Sequence, residues 1–426
     1  MPNSRKFTNA SRPHTSVGHL CRSNLAAQFS EQMAIAAIPI LAVVSLGASA
    51  QASATLQAIN TLPFLLLSIP AGLLADRCQR KPLMIATELI RATALFLLFA
   101  LFASSMLDLY GLAALGFAIA TGTVVYSVAA PALVAALVDR GDLLAANRKL
   151  EIARSIAFTA GPAAGGVLAG WAGGMFAFLA AFALSLASVW YLARLPAEAP
   201  LAAARRQVLR ELSDGILFIV RNRYLRPIVA TAFVFNTAWY LLLGIFAYYA
   251  VRHLHLSEPA VGAALGTYGL GMVTGAFLYP AMARALRFGA QILLGPVCAA
   301  TAALLMLATL AVPRPVRDIL VFAAFFLFGL GPIVWTISTT ALRQIVTPAA
   351  LIARVSAVIM TVTFGARPLG AALGAWLSAT FGMASCLTGV ATGFALQLGI
   401  IALCAPTRLT SIDALAQDAP PVPVEP

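Results

Sequence analysis

Gly72-Leu73-Leu74-Ala75-Asp76-Arg77-Cys78-Gln79-Arg80-Lys81 closes a long apolar run with one acid and three bases in six residues. Arg and Lys beside a membrane span tend to stay on the cytoplasmic side, so this stretch pins the topology of the helix before it. The rest of the chain suits that reading: 61% of residues are hydrophobic, only 10% are charged, and mean hydropathy is +0.90. A soluble domain carries about 25% charged residues, so this composition excludes an ordinary soluble protein. At roughly 20–25 residues per span, 426 residues leave room for about a dozen helices. The net charge of +13 is scattered between apolar runs and forms no continuous patch. That argues against nucleic acid and for anionic lipid headgroups as the partner.

Apolar runs fall at 25–46, 53–75, 82–104, 110–138, 146–171 and 173–194, then at 227–251, 259–284, 289–312, 318–346, 352–380 and 383–404. An outer-membrane barrel needs alternating segments of about ten residues, so runs this long predict twelve transmembrane helices. With the N-terminus inside, only Arg252, Arg314 and Arg317 fall on the outer side, and Arg91 and Arg367 lie within spans, of the 28 Lys and Arg. The positive-inside rule therefore places both termini in the cytoplasm. High Ala and a preference for Arg over Lys suggest a GC-rich bacterial genome, hence the bacterial inner membrane.

The expected order is a basic cytoplasmic tail (1–22), a six-helix bundle (23–194), a linker (195–226), a second six-helix bundle (227–405) and a disordered tail (406–426). The linker carries Arg205, Arg206, Arg210, Glu211, Asp214 and Arg221 on a modestly amphipathic stretch, as expected for a helix on the cytoplasmic headgroups. An internal repeat ties the bundles together. A constant offset of 206 carries Arg148, Phe158, Ala160 and Pro162 onto Arg354, Phe364, Ala366 and Pro368, and Phe29 onto Phe235. It also carries Asp76 onto Met282, so the second copy of the opening loop has lost its acid.

The opening stretch resembles the loop between the second and third helices of major facilitator superfamily transporters, written G-x-L-a-D-R-x-G-R-[RK]. Gly72, Leu74, Asp76, Arg77, Arg80 and Lys81 match, while Gln79 stands where the family usually has Gly. The resemblance implies an all-α membrane protein of two pseudo-symmetric six-helix bundles with a substrate site between them. It also implies that Gly72, Asp76, Arg77, Arg80 and Lys81 take part in gating as the bundles rock; a solvated topology anchor is the competing reading. Gly161-Pro162-Ala163-Ala164-Gly165-Gly166 resembles the glycine-proline motif of the superfamily's antiporters, against plain small-residue packing. With Pro131, Ala145-Ala146-Asn147-Arg148 and Glu88-Leu89-Ile90-Arg91, it is similar to the branch of siderophore and macrolide exporters.

Glu31 lies nine residues past Arg22, roughly 13 Å into the first helix. A charge near the bilayer centre costs at least about 2.5–3.5 kcal/mol, so an acid there is a functional candidate. Apolar surroundings disfavour the charged form of a carboxyl, which makes Glu31 the candidate to couple transport to protons. A neutral Glu bonded to a neighbouring helix is the alternative. Glu88 and Arg91 are three apart and share a helix face, as a structural ion pair would. Arg367 has no acid within a turn and needs another helix, a cavity or an anionic substrate. Asn236, Trp239, Tyr240, Tyr268 and Trp335 are substrate-cavity candidates, with a lipid-facing position as the alternative. His253 and His255 read as interfacial loop residues.

Cys21, Cys78, Cys298, Cys386 and Cys404 show no metal-ligand spacing and are expected reduced. No phosphate loop, H-E-x-x-H or Ser–His–acid set is present, so no enzyme activity, metal or cofactor is expected. The function expected is proton-coupled export of small amphipathic molecules (drug, siderophore or metabolite) by a monomer in contact with membrane lipids. The alternatives are an importer or lysophospholipid flippase of the same fold, and a sensor or scaffold that transports nothing.

Overall fold

The computed structural model describes residues 13–137, 143–172, 174–196, 208–348 and 351–411. Its first half is built of α1 (Pro13–Val44), α2 (Ala50–Leu66), α3 (Ser68–Arg77), α4 (Arg80–Ala103), α5 (Leu109–Leu137), α6 (Leu143–Ala172) and α7 (Gly174–Ala193). After α8 (Val208–Arg221), the second half follows as α9 (Leu225–Tyr248), α10 (Glu258–Ala285), α11 (Phe288–Ala308), α12 (Arg314–Val346), α13 (Ile352–Thr380) and α14 (Gly382–Ala402). Among the described residues, eleven helices are long and apolar enough to span a membrane by themselves. The twelfth span is α2 and α3 together, divided at Leu67.

Two prolines explain the division. Pro63 sits inside α2, and Pro70 in the first turn of α3 has no N–H to offer the carbonyl of Leu66. Leu67 caps α2 at φ −106° and ψ −7°, away from ideal helix angles, and the Ser68 hydroxyl donates to the Phe64 carbonyl across the break. The tenth apolar run also begins earlier than its hydropathy suggests. Pro313 and Pro315 frame the start of α12 at Arg314, so the new helix begins before the apolar stretch at 318.

The two halves repeat one another. Shifting α4, α5 and α7 by 206 residues lands each within three residues of α11, α12 and α14. The packing repeats as well: α1 packs on α6 and α7 as α9 packs on α13 and α14, and α4 packs on α5 and α7 as α11 packs on α12 and α14. Between the halves, α6 against α10 is matched by α13 against α2. Within the first bundle, hydroxyls replace bulk at the α1–α7 seam, where Ser23 meets Ser188 at 2.9 Å and Ser30 donates to the Ala181 carbonyl at 2.8 Å. The second bundle is held by a cluster of rings, Trp239, Phe246, Phe325, Phe328 and Phe394. Phe277, Leu304, Ile319, Trp376 and Leu396, each more than half exposed, point outward as an apolar belt suited to lipid.

The turns after α1 and α9 lie on one side, here the distal face; the start of α1 and the end of α14 lie on the other, the terminal face. Contacts between the bundles gather from the distal face to mid-depth. The Arg252 guanidinium donates to the Val43 carbonyl at 3.2 Å, and the Ser53 hydroxyl donates to the Gly244 carbonyl at 3.1 Å. Along α6 and α10 the backbones touch: a methyl on Gly166 would stand 2.6 Å from the Cα of Gly262 and 3.0 Å from the Glu258 carbonyl oxygen. Only glycine permits that approach. On the terminal face, α8 docks its Phe218 and Ile219 on Val355 and Val358 of α13, with Asp214 bonded to Arg354 at 2.8 Å, and leaves Ile216, Leu217 and Val220 exposed. The linker helix is thus fastened to a bundle and still offers a face to headgroups.

Overpacking a close contact costs about 1–3 kcal/mol. Gly166→Leu is therefore expected to open the distal face by roughly 5–150-fold, the span of such an energy in an equilibrium. The readout is maleimide labelling of Ala54→Cys, buried where α2 meets Gly244 of the second bundle, in a background without the five native cysteines. An unchanged labelling rate would show that the glycine contact does not hold the face shut.

Candidate functional site

Beneath the distal seal, a cavity of about 270 Å³ lies between the bundles. Its two walls differ. The first bundle supplies amides, hydroxyls and an acid: Glu31 and Gln32 from α1, Gln57, Asn60 and Thr61 from α2, and Thr123 from α5. The second supplies mostly rings: Phe235, Trp239 and Tyr240 with Asn236 from α9, Tyr268 from α10, and Arg367 from α13. Trp239 stacks on Tyr268 at 5.0 Å and meets Phe328 at 5.0 Å, so the aromatic wall is the inner edge of the bundle's own core. Such a wall is held rigid before any ligand arrives.

Arg367 stands where three rings converge. Its guanidinium carbon is 4.3 Å from the centre of Phe364, 4.7 Å from Phe64 and 5.2 Å from Tyr240, so both bundles contribute. Ring faces replace part of the hydration a buried cation loses. Among the described residues its Nε has no hydrogen-bond partner, nor has Oδ1 of Asn60 on the facing wall. Glu31 is half-buried at the cavity, in the field of Arg91, Arg154 and Arg367.

Behind the polar wall, Arg91 and Glu88 are both buried. Arg91 Nη1 donates to Glu88 Oε1 at 2.6 Å and to the Ala27 carbonyl at 3.2 Å, and Nη2 donates to the Thr123 hydroxyl at 2.9 Å. The side chain therefore ties α4 to α1 and α5, and Thr123 carries the connection to the cavity surface.

The glycine-proline motif on α6 divides its work. Gly161 and Gly165 seat α6 against Gln32 and Met33 of α1, Gly166 meets α10 of the other bundle, and Pro162 lines the cavity. In the opening loop, Lys81 reaches the end of α7. Its ammonium donates to the Ala193 carbonyl at 3.1 Å and to that of Leu195, satisfying the C-terminal end of α7 within the same bundle. Gly72 has open space around it. Asp76 and Arg77 close α3, and their side chains lie outside the described residues, while Arg80 begins α4. Trp335 does not reach the central cavity; it packs on Gly295 and lines a separate one inside the second bundle. His253 ends a π-helical turn (Tyr249–His253) that continues α9, where a loop was expected, and its ring lies tilted beside Tyr249; Arg314 and Arg317 donate to the His255 and His253 carbonyls.

Sequence reasoning missed the stripe on α2. Gln57, Asn60, Thr61 and Phe64 follow helical spacing on one face, and polar residues at that spacing in an apolar run were the signal.

A cavity at the junction of two repeated six-helix bundles defines a membrane transporter of the major facilitator fold. The family model described as transmembrane secretion effector, within that superfamily, matches residues 19–425, and the chain belongs to this family. Among solved structures, the nucleoside transporter NupG aligns with a TM-score of 0.72 at 13% identity, covering 91% of this chain and 97% of that one. A bacterial homologue of the iron transporter ferroportin, in an inward-facing state, aligns with a TM-score of 0.72 at 14% identity, covering 91% and 97%. A POT peptide transporter gives 0.72 at 15% identity, covering 91% and 93%. No curated protein sequence matches the chain.

Glu88→Leu leaves the Arg91 charge buried without its anion, and such a loss costs about 3–5 kcal/mol. The variant should melt well below the parent in detergent, and adding Arg91→Leu should restore much of the difference. Equal melting of the parent and the single variant would show that the pair carries no structural load.

Proposed function

We propose that this protein is a proton-coupled exporter of small amphipathic molecules, working by alternating access in the bacterial inner membrane with its terminal face in the cytoplasm. The observation that carries the reading is the placing of Glu31 and Arg367 on facing walls of a cavity sealed on its distal side. The clustering of bases on the terminal face supports the orientation. The family description, a secretion effector, supports the outward direction. Amides and rings on opposite walls suit cargo with one polar and one flat apolar side.

In this cycle the distal seal at Gly166 and Gly262 parts while the terminal side closes. Glu31 takes up a proton from outside and releases it to the cytoplasm, and cargo leaves in exchange. The electrical part of the gradient contributes about 2.3 kcal/mol per charge per 100 mV. The Arg367 charge, its Nε unpaired, is the group placed to sense whether Glu31 is charged or cargo is present.

Proteoliposomes containing a fluorescent amphipathic dye test the reading. A pH gradient should drive the dye uphill with the parent protein. Glu31→Gln should keep dye binding and lose the uphill component, falling to the rate without a gradient. Uphill transport that persists in this variant would clear Glu31 of coupling; transport indifferent to the gradient would remove proton coupling itself.

A further inference from the structure

A second cavity, of about 230 Å³, lies inside the second bundle among α9, α11, α12, α13 and α14. It shares only Phe235 and Asn236 with the central cavity. Three buried groups on its lining residues have no hydrogen-bond partner among the described residues: the Thr231 hydroxyl, Gln397 Nε2 and Arg343 Nε. Thr231 and Gln397 are each 1% exposed, so bulk water does not supply what the protein withholds. Buried donors left unmet are expensive, and such groups in a native fold call for an occupant.

The lining specifies that occupant. Thr336, Thr339 and Thr363 already donate to carbonyls of their own helices, at Pro332, Trp335 and Ile359. The buried donors left without a partner are thus the three named groups, and the ligand must bring acceptor oxygens. Among the described residues Arg343 is the one charged member of the lining, and no carboxylate accompanies it. One guanidinium matches one negative charge; a phosphate carrying about two would leave charge unbalanced. The remaining walls, Leu225, Ile228, Ile359 and Trp335, are apolar. Several waters would fit the space, since each takes about 30 Å³, but water does not neutralise the cation.

We infer that this cavity is a second binding site, for a small apolar monocarboxylate whose carboxylate meets Arg343, Gln397 and Thr231. It is independent of the coupling role given to Glu31. Calorimetric titration of the full chain in detergent with 1-naphthoate, and with the uncharged 1-naphthamide, tests it. The naphthoate should bind saturably, and the amide about tenfold or more weaker, as expected for loss of a charge-assisted hydrogen bond. Arg343→Gln should weaken naphthoate by about the same factor, and Gln397→Leu by several-fold, while Arg367→Gln and Glu31→Gln leave it unchanged. If Arg343→Gln shows no melting transition, Gln397→Leu and Thr231→Val carry the decision. Absence of saturable binding overturns the site. So does equal affinity for the amide, or a loss that follows Arg367 in place of the pocket residues.

Discussion

Backbone against backbone at Gly166 and Gly262 is the contact on which the rest of this architecture depends. Lipid tails are as apolar as leucine, so helices in a bilayer gain little from hiding apolar surface from one another and must gain from close packing. Along α6 and α10 that packing reaches the limit set by the main chain. It is matched across the molecular twofold by α2 on α13. Together the two seams set the distal boundary of the central cavity, with Arg252 reaching over the top to Val43.

Charge inside the membrane is handled in three ways, each suited to its place. Arg91 is neutralised within the first bundle by Glu88 and by bonds to Ala27 and Thr123. Arg367 is met by rings from both bundles. Glu31 and Arg343 face cavities. The first is a structural solution that any movement of the bundle leaves intact. The second joins both halves, so its surroundings change whenever the halves separate.

Much of this was legible before any coordinates. Long apolar runs reveal spans because nothing else satisfies backbone groups in hydrocarbon, and the 206-residue offset reported the duplication that the packing displays. Rare polar residues in apolar runs led to Glu31, Asn236, Tyr240, Tyr268 and Arg367, all at one cavity. Other features stayed hidden for physical reasons. Trp335 sits at the same hydropathy as Trp239, and only the rotation of α12 decides which cavity it meets. Lys81 reads as a loop charge until the end of α7 is seen beside it. Arg343 ends an apolar run and looks like one more basic anchor. The polar stripe on α2 was in plain view, and the break at Leu67 was marked by Pro63 and Pro70, but average hydropathy conceals both.

That break makes one membrane crossing into two separate levers. The distal lever, α2, lies on α13 and α9 of the opposite bundle as well as on α5, whereas the short terminal lever, α3, lies chiefly on α5 of its own. Swinging the bundles apart on the terminal side would then bend this crossing at a single peptide link, with no need to uncoil a continuous rod. The organising loop rides on the short lever, so its displacement is set by the angle at Leu67.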